Sequence, residues 1–417
     1  MRRIWLLFML VLAGALFSAC AAPATRPVSF MVFGDPAELK AYQTLVNAFQ
    51  QKHPEIPVEL IHIPDQGDYR KRLGADLAAG TPANVVLINY RRYAGFAQKG
   101  VLESLQPYLD KSTLIKEGDF YSEAMQPYIW RNGVMCLPQN LSSLVVYYNK
   151  NLFDAAGVPY PQPDWTWGDF LSVAQALTKP ANDQYGVGVE PSLIRVAPFI
   201  WQNGGELVAD PIASRLLVDS PEARAAIQWL VDLQAKHHVT PDAVAAEAED
   251  LESRFINGRL GMYLDSRRVV PSLRTINAFD WDVAPLPRGQ LPATILHADA
   301  YCMTSATKDK DAAWKFIEFA NSIEGQQIIA ATGRTVPSLK SVAESAAFLD
   351  PNARPQNSRV FLDVIPALRA LPVLKNWVDI EETANAELER AFYGTASVDD
   401  VIKAMVDRTA IFFTEEE

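Results

Sequence analysis

The sequence predicts an α/β fold built on mostly parallel sheets, and three observations lead there. The stretch Leu77–Tyr93, LAAGTPANVVLINYRRY, closes a helix at Gly80 with Pro82 just beyond, then runs through Val85-Val86-Leu87-Ile88. Four branched apolar residues without alternation read as a short strand buried on both faces, the habit of parallel sheets. Two earlier strand-like segments alternate with helical periodicities ahead of it, giving the strand-helix-strand-helix-strand order of a doubly wound lobe. At 417 residues the chain is too long for one ordinary core and suits two lobes. Its 49% hydrophobic and 21% charged content is that of a folded globular chain.

Taken in order, the chain opens with a processing signal over residues 1–19. Arg2 and Arg3 precede an apolar core, Ile4–Phe17, too short for a stable span. Phe17-Ser18-Ala19-Cys20 resembles the bacterial lipoprotein box, in which the cysteine is lipidated and begins the mature chain. Phe17 departs from the usual leucine, and an ordinary signal peptide with an incidental Cys20 is the alternative. Residues 20–27 form an Ala/Pro tether. Removing Arg2 and Arg3 takes 38 basic residues to 36 against 49 acidic, a net charge of −13. Such an acidic chain excludes nucleic acid, whose phosphates demand a basic face.

Val28–Phe33 is the first strand, ending at Gly34. Asp35-Pro36-Ala37-Glu38 then starts a helix with a capping acid, a proline at the first position and an acid at the third. Leu39, Tyr42, Leu45, Val46 and Phe49 continue it to Lys52, where Pro54 forbids extension. Strand Val58–Ile63 and a helix striped by Tyr69, Leu73 and Leu77 lead into the opening stretch. The polar tip Asn89-Tyr90-Arg91-Arg92 falls at a strand's carboxyl end, where open α/β sheets bind ligands. Leu144–Tyr148 reads as a strand and Leu152–Gly157 as a short helix. Pro159, Pro161 and Pro163 force a loop carrying Trp165 and Trp167. Phe199-Ile200-Trp201-Gln202-Asn203-Gly204-Gly205 offers a flat ring and an amide beside paired glycines; a plain turn over a buried tryptophan carries equal weight. Ser220-Pro221 opens a helix, Leu260–Tyr263 is a strand tipped by Asp265 to Arg268, and Cys302–Thr304 another led by Asp299 and Tyr301. Asp309–Asn321 is a helix, a further helix closes at Gly333-Arg334, and helices near Trp377 and after Ser397 end the chain.

Cys136 and Cys302 both sit in apolar strand-like runs. Two buried thiols are the plain reading, and an exported compartment permits a disulfide between them. With no CxxC and no Cys/His cluster a metal has no support, and no cofactor motif is present: GVGVE at Gly186 lacks a third glycine.

AAGTPANVV ahead of its polar tip, then YYNKNLFDAAGV, FINGRLGMY and DAAWKFIEF in that order, resembles the bacterial extracellular solute-binding proteins of family 1, the sugar-capturing components of ABC importers. The resemblance implies a two-lobe periplasmic-binding-protein fold, each lobe a mostly parallel sheet flanked by helices, with the ligand cleft between them. It places one lobe at 28–136 plus 284–331 and the other at 137–283 plus 332–417. It also implies a monomer, tethered to the membrane by its lipid, that closes by a hinge on a carbohydrate and passes it to a permease without chemistry. The candidate ligand-binding residues are Asp35, Asn89, Tyr90, Arg91, Trp201, Asn203, Asp265, Arg268, Asp299, Tyr301, Arg334 and Trp377. Sugars take hydrogen bonds from Asp, Asn and Arg and pack C–H faces on aromatic rings. Many relatives carry Gly-Pro-Trp where Arg268 stands, so this chain departs from the maltose-type pattern. A secreted glycoside hydrolase using Asp265 and Asp299, and a binder of a non-sugar anion held by the arginines, are the rival readings.

Overall fold

A computed structural model describes residues 26–209 and 213–413. The leader, Cys20 and the terminal Glu415–Glu417 fall outside the described residues. β1 (Val28–Phe33), α1 (Pro36–Lys52), β2 (Val58–Ile63), α2 (Gln66–Ala78), β3 (Val85–Asn89) and α3 (Tyr90–Gln98) open the first lobe. β1 pairs in parallel with both β2 and β3. The non-alternating run has its physical cause here. Phe30, Val32, Val85 and Leu87 pack with Tyr42, Leu45 and Phe49 of α1 on one face, while Met31, Val86 and Ile88 meet Tyr69 and Leu73 of α2 on the other. Both faces are dry, so no polar alternation is needed.

β4 (Cys136–Pro138) joins the first sheet, β5 (Asn140–Ser143) leaves it, and β6 (Val145–Asn149) enters the second. The second lobe adds α4 (Trp167–Leu177), β7 (Tyr185–Gly188), α5 (Leu193–Gln202), α6 (Pro221–Ala235), β8 (Leu260–Asp265) and β9 (Trp281–Ala284). β10 (Thr294–His297) returns, and β11 (Asp299–Met303) lies beside β3. α7 (Lys310–Ala320) and α8 (Ile323–Ala330) pack on α1. β12 (Val336–Pro337) and β13 (Leu368–Arg369) precede α9 (Trp377–Phe392) and α10 (Val398–Phe413). α9 packs on α5, α6 and α10, and reaches α3 across the lobes.

The first sheet has the order β2-β1-β3-β11-β4 and the second β9-β6-β8-β7; a small sheet β12-β5-β10-β13 lies between them. The expectation of mostly parallel sheets needs correction. β11 is antiparallel to β3 and β4, β6 is antiparallel to β8 and β9, and only β7–β8 is parallel in the second sheet. Trp281–Ala284 pairs with β6 inside the second sheet. The connecting strands are β5 and β10, which pair antiparallel through Leu296–Ser143 and His297–Ser142. The strand expected from Cys302 begins at Asp299 because β3 offers it a partner from Asn89 onward. Cys136 and Cys302 face each other across β4 and β11 and form a disulfide, so the reading of two unpaired thiols is replaced.

Candidate functional site

A cleft of about 520 Å³ lies where the strand tips of the two sheets approach each other. β1 ends at Gly34, whose φ of +130° suits glycine. A Cβ there would stand 1.9 Å from Glu38 Oε2, so the missing side chain lets Glu38 fold back over the strand end. Asp35 caps α1, its Oδ1 accepting from the Ala37 and Glu38 amides at 2.8 and 3.0 Å. Its Oδ2 accepts from Arg334 Nη1 at 2.9 Å, so the cap also faces the cleft. Glu38 closes the capping box by accepting from the Asp35 amide, and it pairs with Arg334 Nε at 2.6 Å. Burial pushes its carboxyl up to about 7 against the pull of Arg334, with Asp35 and Asp299 adding to the rise.

At the β3 tip Asn89 caps α3 and accepts from the Arg91 side chain at 3.1 Å. It donates to Asp299, its direct partner across the ladder, at 3.2 Å. Burial raises the Asp299 carboxyl, opposed by that hydrogen bond and by Arg91 and Arg334. Arg91 reaches over the cleft to Glu381 of α9. On the opposite wall, Asp265 accepts from Arg268 Nη2 and Tyr263 at 2.6 Å and stands 3.0 Å from Arg195 Nη2. Its burial alone would raise the carboxyl; Arg195 and Arg268 overturn that and hold it at about 2. Arg195 also stands near Glu190 and leaves Nη1 without a hydrogen-bond partner among the described residues, as are Ser192 Oγ and His297 Nε2. Burial, with Arg195 and Arg91 nearby, drives the His297 imidazole well below its ordinary range and so keeps it neutral.

Six of the twelve candidates line the cleft: Asp35, Asn89, Arg91, Arg268, Asp299 and Arg334. Asp265 stands behind Arg195 and Arg268 and fixes both. The other five are placed elsewhere. Tyr90 turns inward, donating to the Leu296 carbonyl and accepting from the Leu371 amide. Tyr301 is in the first-lobe core, where its hydroxyl accepts from Gln139, a cleft residue, at 2.8 Å. Trp201 is 2% exposed, and the Arg369 guanidinium covers its ring. Asn203 ends α5 and donates to the Glu222 carbonyl. Trp377, the first residue of α9, is fully buried. Helix α5 does point at the cleft, but by its start, Ser192 to Arg195, while Trp201 and Asn203 lie at its far end, roughly 15 Å away at 1.5 Å per residue. A lone arginine inside the apolar run LIRVAPFIW was the available signal. Glu38, Gln139, Ser142, Glu190 and Glu381 also line the cleft beyond the expected set.

The match to the bacterial extracellular solute-binding protein family spans residues 34–327. The chain belongs to that family. Among solved structures it is similar to an ABC substrate-binding protein from Listeria monocytogenes in complex with cycloalternan, with a TM-score of 0.87, 24% identity and coverage of 93% of this chain and 99% of that one. It is also similar to UgpB from Mycobacterium tuberculosis in complex with glycerophosphocholine, with a TM-score of 0.82, 22% identity and coverage of 94% and 99%. A maltotriose-binding protein of Pyrococcus abyssi is 22% identical over 291 residues, 68% of this chain and 60% of that one. The likeness establishes the two-lobe α/β fold of this solute-binding protein. Members of the family are extracytoplasmic binding proteins of ABC importers, which take up small molecules and deliver them to permease subunits without chemistry.

Proposed function

We propose that this solute-binding protein captures a small polyhydroxylated solute, a sugar or sugar derivative, between its lobes and presents it unaltered to its permease. The observation that carries the reading is the cleft lining, where carboxylates and guanidiniums alternate from both lobes: Asp35, Glu38 and Asp299 beside Arg91 and Arg334, facing Arg195 and Arg268. Paired charges of both signs present acceptors and donors in fixed directions, which suits a ring of hydroxyls. The β5–β10 connection serves as the hinge between the lobes. Cys20 carries the lipid that holds the monomer at the membrane. Asp265 cannot act as the acid of the hydrolase reading, because two arginines lock it and hold it ionised near neutral pH.

The test is thermal unfolding across a panel of sugars, sugar acids, polyols and sugar phosphates. A ligand at 100 times its Kd stabilises by about 2.7 kcal/mol, and Arg91→Gln should remove the shift. A panel that moves nothing would end the proposal. A second reading, an organic phosphate, has its own support: Arg92 lines the cleft with no carboxylate within ion-pair distance among the described residues, and Phe33 and Tyr42 are the only aromatic residues in the described lining. A phosphate ester that shifts the transition while no free sugar does would decide for it.

A further inference from the structure

A second hollow of about 490 Å³ opens beside the cleft between α2, α3 and the start of α9. The two meet at Phe33, Asn89 and Arg92, which line both. In character they differ. The second floor is apolar, formed by Phe33, Leu73, Leu87, Phe96 and Val378. Its rim carries Arg70, Lys71, Arg92, Lys99 and Lys375, against Glu382 as the one carboxylate in the described lining. This chain has 49 acidic residues against 38 basic, so a rim of five cations to one carboxylate runs against its composition. Many arginines elsewhere are laced to carboxylates, such as Arg91 to Glu381, Arg195 to Asp265 and Arg334 to Asp35. Here Lys71 meets Asp68 at 3.3 Å, and Arg70, Arg92, Lys99 and Lys375 have no carboxylate within 4.0 Å among the described residues.

Solvated surface lysines need no partner. Arg92 is different, being half-buried in the wall shared by the two hollows. Burial, then Arg91 and Arg70, lower its proton affinity to about 10, and the more distant Glu381 and Glu382 only partly offset them, so its charge stands without a contact partner beside an apolar surface. An anion there would offset that cost, and an apolar body attached to it would cover the floor.

We propose that this second hollow is a binding site for a small amphipathic anion, an aryl or alkyl carboxylate, sulfonate or phosphate. Its apolar part lies on Phe33 and Phe96, and its charge sits among Arg92, Lys99 and Lys375. The assignment stands whether or not the cleft takes a sugar.

Naphthalene-1-sulfonate is the probe, titrated into the full chain by calorimetry, with uncharged 1-naphthalenemethanol as the comparison. One saturable site is expected, binding the sulfonate at least about tenfold more tightly than the alcohol. Arg92→Gln should weaken the sulfonate about fivefold or more, and the exposed Lys99→Gln should weaken it in the same direction without touching the fold. Val378→Trp, at a half-buried position on the floor, should block the site. Arg268→Gln, confined to the cleft, should leave the probe unaffected. No saturation in the millimolar range, equal binding of the alcohol, or loss on Arg268→Gln while Val378→Trp binds normally would each overturn the assignment.

Discussion

Glu38 performs two duties that conflict. As the third residue of α1 it completes a capping box, and as a cleft residue it pairs with Arg334 under a burial that favours its neutral form. Its folded value of about 7 exceeds the ordinary 4.5. Between the two the folded chain holds a proton that the unfolded chain has released, so stability falls as pH rises through that window and levels off above it. Glu38→Gln keeps an acceptor for the Asp35 amide and removes the titration. The wild type is therefore expected to lose up to ~3 kcal/mol relative to Glu38→Gln between pH ~4.5 and ~7, read from urea midpoints across that range. Parallel pH profiles for the two proteins would refute the burial argument. The capping half of this was legible in Asp35-Pro36-Ala37-Glu38. The other half was not, because Arg334 arrives from near the far end of the chain. The same holds for Arg195: its value depends on Asp265 behind it, whereas Trp201 and Trp377 drew attention by residue type and are core side chains.

Elements with local causes were legible, and those fixed by distant partners were not. Caps and stripes defined α1, α2 and α7, and the dry run Val85–Ile88 defined β3, because those signals sit within each segment. β5 reads NLSS and β10 reads TILH; neither pattern announces a strand, and each exists because the other pairs with it. Strand direction in the second sheet was hidden for the same reason. The link between β4 and β11 is likewise invisible in sequence, since the two cysteines lie 166 residues apart and become neighbours only through ladder register. Closing so long a loop restricts the unfolded chain, and the paired Cys136→Ala and Cys302→Ala change is expected to cost ~2–5 kcal/mol in urea unfolding. Reductant added to the unfolding series should bring the wild type down to the double variant and leave that variant unmoved. A wild type as unstable as the variant without reductant would show that the bond adds nothing.

At the scale of the whole molecule, the lobes touch across the cleft through few polar contacts. Arg334 follows α8 of the first lobe, and its Nη1 donates both to Asp35 on its own side and to the Arg268 carbonyl on the other, at 2.9 and 3.0 Å. Arg91 of α3 meets Glu381 of α9, a helix seated on the second lobe. Bonds that exist only when the lobes are together bias the closed arrangement by their own free energy, and a ligand that needs that arrangement binds more weakly when its population drops. Arg334→Gln keeps a donor but loses the charge, and at a half-buried pair this is expected to remove ~1–2 kcal/mol of closure, about tenfold in apparent affinity. Small-angle scattering of the ligand-free variant should then give a larger radius of gyration than the wild type, and saturating ligand should bring the two radii together. An affinity loss with identical ligand-free radii would assign Arg334 to direct contact with the solute, and unchanged affinity with unchanged radii would remove it from both roles.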